Sequence, residues 1–287
     1  MEPAVTLITG CSSGIGMETA LAAARRGHRV YATMRNLDKR GPLLKQAEAE
    51  GIALELLSLD VSKPDSVAAA AAEIEKREGR LTNLVNNAGF SYFGILEHFS
   101  DEEIRDQFET NVFGVLRVTR SLLPLMRRDE SPRRTLVNVA SLAGRVVYPL
   151  MGLYAATKFA LIGLTEEWRH ELRPFGIRAV AVEPGSTNTN FGRESLKRPA
   201  AYDPLTSPYR AVVEAVEGGF REMTTGKSAA VPAHIARTIL EAIEARRPKL
   251  HWTCGPKTKI STFALRFAPY SFVEGVMRRE SGLGELK

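Results

Sequence analysis

The sequence predicts an α/β protein built on one doubly wound parallel sheet with helices on both faces. Short runs rich in β-branched residues alternate with stretches of helical length rich in Ala, Leu, Glu and Arg, and a glycine-rich turn follows the first run. Such alternation is typical of βαβ units, in which each crossover helix covers the sheet. The predicted strands are residues 5–9, 29–34, 53–59, 83–86, 135–140 and 177–183.

The helix signals lie between these runs. Ser100 followed by Glu103 is a capping box at the start of a long helical stretch, and Pro124 is expected to bend or end the regular part of that helix. Residues 185–230 have few periodic apolar positions and predict a substrate lid, because long loops inside a compact domain are usually functional. The predicted helices are residues 15–26, 64–78, 101–128 and 152–173.

Composition and charge exclude several classes of function. Of the 287 residues, 44% are hydrophobic and 25% charged, which excludes a disordered or fibrous protein. The net charge of +6 resides in residues 246–287, with nine Lys or Arg and three Glu, so the neutral remainder does not predict nucleic-acid binding. Two cysteines are too few for a disulfide framework. We expect a cytoplasmic protein with no spanning helix, no leader sequence and no metal site.

The turn after the first predicted strand has the features of a dinucleotide site. It reads TGCSSGIG over residues 9–16 and opens a helix. Gly10 permits a tight turn, Gly14 lets the backbone approach a pyrophosphate, and Gly16 lets the helix pack closely on the strand. The helix N-terminus supplies amide groups and the positive end of a dipole.

This Gly-x-x-x-Gly-x-Gly spacing, with three later motifs, resembles the short-chain dehydrogenase/reductase family over about residues 4–255. The later motifs are Asp60-Val61, the Asn-Asn-Ala-Gly sequence at 86–89, and Pro184-Gly185. The resemblance implies a Rossmann-type fold of about seven strands in the order 3-2-1-4-5-6-7. We expect the catalytic domain to occupy residues 1–255, followed by a basic amphipathic extension at 256–287.

The resemblance also implies a set of coenzyme contacts. The Asp after the third strand contacts the adenine, the Asn-Asn-Ala-Gly turn closes the coenzyme cleft, and the Pro-Gly turn lies on the nicotinamide side. Thr187 stands where the family often has an aliphatic residue. The expected contacts are Gly10, Ser12, Ser13, Gly14, Ile15, Gly16, Arg35, Asp60, Val61, Asn87, Ala88, Gly89, Tyr154, Lys158, Pro184, Gly185, Thr187 and Thr189.

The end of the second predicted strand favours NADP(H) over NAD(H). An NAD site places an acid there to accept hydrogen bonds from the ribose 2′-hydroxyl, whereas a 2′-phosphate is repelled by an acid and attracts Arg. Here the strand ends Thr33-Met34-Arg35, so the acidic position resembles Met34 and a basic residue follows. Ser12 and Ser13 add hydroxyl groups that a phosphate can accept from.

The catalytic residues are expected on and near one helix. Tyr154 and Lys158 are four residues apart and therefore lie on one helix face. An ammonium and the positive nicotinamide lower the pKa of a phenol, which then acts as general acid or base. The family resemblance adds Ser141, which hydrogen-bonds the substrate oxygen, and Asn111, which helps hold a water that links the Tyr proton to solvent.

The resemblance is to the 17β-hydroxysteroid and retinol dehydrogenase branch, through the glycine motif, the Tyr-Ala-Thr-x-Arg strand end and the C-terminal extension. The segments expected to line the pocket are mostly apolar, which favours a hydrophobic ketone, aldehyde or alcohol. The substrate contacts expected are Ser141, Val147, Tyr148 and Tyr154. The alternatives are an NAD-dependent alcohol dehydrogenase or a ketoacyl reductase of the same family, or an idle NADP(H)-binding regulator.

Assembly and the role of the tail are further expectations. The family resemblance implies a dimer or tetramer, with helices 101–128 and 152–173 at the interface. The tail at 256–287 has an apolar and aromatic body over 260–277 with Arg266 within it, followed by Arg278-Arg279. It is compatible with an extension that packs on the subunit or its neighbour, with a membrane-surface contact, or with an acidic partner.

Overall fold

The computed structural model has a central parallel sheet of seven strands in the order β3-β2-β1-β4-β6-β7-β9. It describes residues 2–186, 196–225, 230–254 and 268–285, with the side chains of 222–225 excepted. Counted along this sheet alone, the order is the predicted 3-2-1-4-5-6-7, which confirms the doubly wound α/β fold. The strands are β1 (Val5–Ile8), β2 (Arg29–Met34), β3 (Glu55–Ser58), β4 (Asn83–Asn86), β6 (Arg134–Val139), β7 (Ile177–Glu183) and β9 (His251–Thr253).

Helices cover both faces of the sheet, because neighbouring residues of each strand point to opposite sides. Leu7 lies in the core that packs against α3, α5 and α6, and Ile8 lies in the core against α1, α2 and α8. Both faces are therefore apolar, as parallel sheets require. The helices are α1 (Gly14–Arg25), α2 (Gly41–Ala49), α3 (Pro64–Glu78), α4 (Asp101–Phe108), α5 (Gly114–Arg128), α6 (Gly152–Glu171), α7 (Arg210–Thr225), α8 (Pro232–Glu244) and α9 (Tyr270–Glu280).

The long helix expected over 101–128 is continuous but not uniform. The capping box at Ser100 and Glu103 is present, and one π-helical turn, Glu109–Phe113, separates α4 from α5. Pro124 does not end the helix, which runs on to Arg128. The proline ring lies on the exposed side of α5, and the apolar residues beyond it stay buried, so tertiary packing outweighs the lost hydrogen bond.

The region expected to be a lid contains regular structure where it is described. β8 (Leu196–Lys197) pairs in parallel with β5 (Ser91–Tyr92), and α7 follows. The prediction of one long loop over 185–230 is therefore wrong for these residues. The helix packs its apolar residues against Phe93, Tyr148 and the C-terminal segment and not against the main sheet, so it does not follow the βαβ pattern from which the other helices were predicted. Among the described helices, none is long and apolar enough to cross a membrane.

The C-terminal helix α9 and the turn after it pack on α7. Ser281 is fully buried, and a Cβ on Gly219 would lie 2.9 Å from the Glu280 carbonyl oxygen. A Cβ on Gly282 would lie 2.8 Å from the Ala215 carbonyl oxygen. The two backbones therefore approach as closely as glycine allows.

Two neighbouring glycines of α7 provide a matched test of this packing. Gly219→Ala is expected to destabilise the protein by about 1–3 kcal/mol, because the new methyl group meets backbone that cannot move aside alone. Gly218→Ala is the control, since nothing lies within 4 Å of its Cβ position, and a gain of about 0.5–1 kcal/mol is expected from helix propensity. Urea unfolding measures both. Equal effects of the two substitutions would mean that α9 does not pack on α7.

Candidate active site

The glycine turn after β1 is shaped by close backbone contacts. Gly10 has a φ of +74°, and a Cβ there would lie 2.9 Å from the Ala88 Cα. A Cβ on Gly16 would lie 2.2 Å from the Gly10 carbonyl oxygen. Gly14 has a φ of +59° with nothing within 4 Å of its Cβ position, so this side of the turn is open. Two of the glycines thus serve internal packing, and the third faces space that a ligand can enter.

The turns after β1 and β4 are joined by hydrogen bonds. The Thr9 Oγ1 accepts the backbone N–H groups of Asn87 and Ala88, each at 2.9 Å. The Asn87 side-chain amide donates to the carbonyl oxygens of Thr9 at 2.9 Å and Gly10 at 3.1 Å. The predicted coenzyme residues of both turns are therefore held together as one unit.

This unit fits a dinucleotide. The Ser13 side chain makes no capping hydrogen bond at the start of α1, which leaves amide groups of the first helical turn for an anionic ligand. The Cys11 N–H donates to the Thr33 carbonyl oxygen at 2.8 Å, so the turn lies beside the end of β2. Arg35 follows that strand with an exposed side chain, and among the described residues it has no ion pair.

The other predicted coenzyme residues also lie at the carboxyl edge of the sheet. Asp60 follows β3 and accepts hydrogen bonds from the N–H and hydroxyl of Ser62. Val61 is buried, and Pro184 and Gly185 follow β7. Thr187 and Thr189 lie outside the described residues. The remaining members, in the turns after β1 and β4 and at the start of α1, are Ser12, Ile15 and Gly89.

Tyr154 and Lys158 are both buried on α6, as their spacing predicts. The Lys158 Nζ donates to the Val139 carbonyl oxygen at the end of β6 over 2.8 Å. The same Nζ lies 5.5 Å from the centroid of the Tyr154 ring. The ammonium is thus anchored to the sheet beside the phenol.

Ser141 and Asn111 complete the predicted group from two other elements. Ser141 follows β6, and its side chain accepts the Ala143 N–H at 3.1 Å and is hydrogen-bonded to Tyr154. Asn111 lies in the π-helical turn, a feature common at functional sites. Its side-chain Nδ2 donates to Thr157 Oγ1 at 3.2 Å and to the Phe90 carbonyl oxygen at 2.9 Å. The structure therefore brings Ser141 to Tyr154 and ties Asn111 to the helix that carries Lys158.

Burial is the main cause of the pKa shifts of Tyr154 and Lys158. It raises the pKa of Tyr154 to about 12, and the hydrogen bond with Ser141 opposes the rise. Burial also lowers the pKa of Lys158 from 10.5 to about 8. The expected lowering of the Tyr154 pKa therefore requires the positive charge of a bound nicotinamide, and it stays a prediction.

The substrate side is an apolar cluster next to Tyr154. Tyr148 is 7% exposed and packs in this cluster, whereas Val147 is 49% exposed and lies outside it. Of the two predicted substrate contacts other than Ser141 and Tyr154, Tyr148 therefore lies in the cluster that contains Tyr154, and Val147 does not. The cluster draws on residues from five chain segments, among them Phe93, Leu150, Val213, Val216, Met277 and Leu283.

Residues 4–200 match the sequence profile of the short chain dehydrogenase family. The chain belongs to this family. It is therefore of an oxidoreductase family, and its relatives place it in the hydroxysteroid-dehydrogenase-like branch. It is 38% identical to a 3-ketodihydrosphingosine reductase of Bacteroides thetaiotaomicron over 67% of this chain and 66% of that protein. It is 36% identical to mouse 17-beta-hydroxysteroid dehydrogenase type 1 over 88% of this chain and 74% of that protein.

Solved short-chain dehydrogenases share the fold. One from Streptomyces avermitilis is 32% identical, with a TM-score of 0.80 over 99% of both chains. One from Burkholderia phymatum in complex with NAD is 25% identical, with a TM-score of 0.78 over 100% of this chain and 98% of that one. One from Sphingobium yanoikuyae in complex with NADPH is 25% identical, with a TM-score of 0.71 over 96% and 94%. These relatives support a nicotinamide dinucleotide as the coenzyme.

Several polar residues at this site were not among the predicted ones. Thr9 stands in the glycine motif and bridges the two turns, and Thr157 receives the Asn111 amide. Glu183 is a charged residue that ends β7 after four apolar residues, Ala179–Val182. That position, immediately before Pro184-Gly185, is a sequence signal that could have revealed it.

The buried ammonium of Lys158 predicts a pH-dependent effect on stability. Its lowered pKa means that burying the charge costs about 3 kcal/mol below about pH 8, and that the cost disappears as the pH rises from about 8 to 10.5. Lys158→Met removes this cost, so the free energy of unfolding of the variant minus that of wild type should be higher at pH 7 than at pH 10.5. The lost hydrogen bond to the Val139 carbonyl oxygen offsets part of the gain. Urea unfolding without coenzyme at several pH values measures the difference between variant and wild type. A difference that does not change with pH would contradict the prediction.

Proposed function

We propose that this short-chain dehydrogenase is an NADP(H)-dependent oxidoreductase that interconverts a hydrophobic ketone or aldehyde and the corresponding alcohol. The observation that carries the proposal is the group of Ser141 with the buried Tyr154 and Lys158 at the carboxyl end of β6, on the same edge of the sheet as the glycine turn that is open at Gly14. A purely structural role would not require a buried ammonium next to a buried phenol, because each loses hydration.

In the proposed mechanism the protein orients the substrate and moves a proton. The bound nicotinamide supplies or accepts the hydride at the carbonyl carbon. Ser141 donates to the substrate oxygen and orients it, and the Tyr154 hydroxyl delivers the proton to the same oxygen in reduction or removes it in oxidation. Lys158 favours the phenolate through its charge, and Asn111 supports a water that returns the proton from solvent.

The direction of the Tyr154 pKa supports its role as an acid. A phenol with a pKa of about 12 is protonated at neutral pH and can donate to an oxygen that gains negative charge. The positive charge of a bound nicotinamide would bring this value toward neutrality. Tyr154 would then serve both directions of the reaction.

The end of β2 supports NADP(H). Met34 is buried where an NAD site places an acid, so nothing acidic at this position repels a 2′-phosphate. Arg35 is exposed beside the glycine turn. Guanidinium groups bind phosphate through two parallel hydrogen bonds, which suits this position.

The apolar cluster beside Tyr154 supports a bulky hydrophobic substrate. Few polar atoms are available there, and an apolar pocket with a small number of polar anchors suits such ligands. The names of the two relatives, a 3-ketodihydrosphingosine reductase and a 17-beta-hydroxysteroid dehydrogenase, are consistent with this class. We also propose that residues 1–255 form the catalytic domain and that the extension packs on its own subunit, since Met277 and Leu283 reach this cluster.

A symmetric dimer through α5 and α6 is the assembly that the surface supports. Phe113, in the π-helical turn before α5, is 48% exposed, and Phe159 on α6 is 45% exposed, so both offer apolar surface to a second subunit. Phe159→Asp should therefore shift the mass measured by light scattering from dimer or tetramer toward monomer. A wild-type protein that is monomeric at all concentrations would contradict the proposal.

Tyr154→Phe tests the mechanism. The variant should lose at least about 10²-fold in turnover over a panel of ketones and aldehydes, because the acid is removed, while the Kd for NADPH stays close to that of wild type. Tyr31→Phe is a matched control, since it removes a tyrosine hydroxyl that donates to Glu78 at the end of α3. Undiminished turnover in Tyr154→Phe would refute the mechanism. NADPH binding without turnover in the wild type would identify the idle regulator.

Arg35→Asp tests the coenzyme preference. The ratio of kcat/KM with NADPH to that with NADH should fall by at least about tenfold, because a carboxylate repels the 2′-phosphate and accepts from a 2′-hydroxyl. Lys45→Asp makes the same change of charge on the exposed face of α2 and should leave the ratio near its wild-type value. An unchanged ratio in Arg35→Asp would refute the phosphate assignment.

A further inference from the structure

An ionic cluster centred on the buried carboxylate of Glu183 lies at the carboxyl end of β7, where the side chains of Arg145 and His251 are 32% and 34% exposed. Glu183 ends β7 and is 1% exposed. Arg145 donates to both of its carboxylate oxygens, from Nε to Oε2 over 3.1 Å and from Nη2 to Oε1 over 3.0 Å. His251 Nδ1, on β9, lies 2.8 Å from the same Oε1, and His251 Nε2 lies 3.6 Å from Glu166 on α6. The cluster thus joins four chain segments.

The cluster connects the two loops that flank the reacting atoms. Arg145 stands four residues after Ser141, and Glu183 stands immediately before Pro184. The Leu142 N–H donates to the Pro184 carbonyl oxygen over 2.8 Å, which is a second link between the same loops. The two hydrogen bonds from Arg145 to Glu183 form the Arg145 fork. This fork is therefore part of the attachment between the Ser141 loop and the Pro184-Gly185 turn.

The serine loop is also fixed against α6. A Cβ on Gly144 would lie 2.8 Å from the Lys158 carbonyl oxygen and 2.6 Å from Ile162 Cδ1. The loop therefore has no room to move toward the helix. Toward β7 it is held by the Arg145 and Leu142 contacts and by the Ala140 N–H, which donates to the Val182 carbonyl oxygen over 2.8 Å.

Stability alone is a weak reason for this cluster. Buried ion pairs are often replaced by apolar residues of similar volume at no cost in stability. A fork of two parallel hydrogen bonds does, however, fix distance and orientation. Burial tends to raise the pKa of Glu183, but hydrogen bonds from His251 and Arg145 hold it below the ordinary value, so the carboxylate stays ionised and keeps both acceptors.

We propose that Arg145 and Glu183 are positioning residues that set the distance between the Ser141 hydroxyl and the nicotinamide-side turn. This inference rests on the proposed function. His251 completes the cluster from the edge strand, with its Nδ1 2.8 Å from Glu183 Oε1 and 2.7 Å from Arg145 Nη2. Loss of the Arg145 fork would leave the coenzyme's adenosine half in place but misplace the nicotinamide half and the substrate oxygen.

The experiment compares binding of a whole dinucleotide with binding of its adenosine fragment. In Arg145→Met, the Kd for NADPH should rise about tenfold, while the Kd for 2′,5′-ADP should stay within about twofold of wild type, because the fragment does not reach the Pro184-Gly185 turn. NADH and ADP-ribose are measured in parallel as the second pair. With a ketone that the wild type reduces, kcat should fall about 10–100-fold, with a larger primary isotope effect from 4-deuterated coenzyme.

Two further variants separate positioning from folding. Arg145→Met combined with Glu183→Met should restore the unfolding free energy toward the wild-type value but not the NADPH affinity or kcat. Arg80→Met is the matched control, because it breaks a similar pair with the buried Asp129 near the amino-terminal end of β4, away from the carboxyl ends of the strands. This control should lose stability without changing the ratio of the two dissociation constants.

The outcomes are distinct. Equal losses of NADPH and 2′,5′-ADP affinity, no loss of either, or recovery of NADPH affinity in the double variant would overturn the positioning role. A wild type that reduces no carbonyl compound would overturn the proposed function, and the dissociation constants would still decide the positioning role. Partial recovery of NADPH affinity in Arg145→Lys, which keeps the charge but not the fork, would support it.

Discussion

The Thr9 hydroxyl, which accepts the N–H groups of both Asn87 and Ala88, is the contact on which the rest of the site depends. β1 and β4 are neighbours in the sheet, and the chain leaves their carboxyl ends toward opposite faces, which opens a crevice between them. Without a bridge across that crevice the two turns could move independently. The bridge brings the backbones so close that Gly10 and Gly16 cannot carry a Cβ, so the glycines are a consequence of this hydrogen bonding as well as of ligand approach.

A second set of buried hydrogen bonds ties the catalytic helix to the same strands. The Asn86 amide donates to Asn138 at 2.9 Å, and the Asn138 amide donates to Thr165 on α6 at 2.8 Å. Buried polar groups of this kind are costly unless they are paired, and paired they specify a single arrangement. Since Lys158 is also bonded to the end of β6, α6 has one height and one rotation over the sheet. The position of Tyr154 is therefore fixed by these contacts of its helix rather than by contacts of the Tyr154 side chain.

The parts of the molecule that could be predicted from sequence are those in which local pattern and tertiary structure agree. Alternating strands and helices predicted the parallel sheet, the family resemblance implied its strand order, and the four-residue spacing of Tyr154 and Lys158 predicted their common face. The π-helical turn at Asn111 has no distinct local signal, because it depends on packing against α6. Pairs that are far apart in sequence, such as Arg145 with Glu183, leave no periodicity at all. β9 has only three residues, too few to show a pattern.

The coenzyme side and the substrate side are held by different forces, and this explains why only the first could be recognised from motifs. The former is fixed by hydrogen bonds of backbone and buried side chains, which demand particular residues at particular spacings. The latter is closed by apolar contacts and by pairs at its rim, such as Lys197 with Asp106 and Tyr209 with Glu97. Apolar contacts accept many residues, and exposed ion pairs contribute little to stability. Local opening therefore costs less on the proposed substrate side, which suits the entry of a bulky molecule, than at the glycine turn, whose hydrogen bonds keep it rigid.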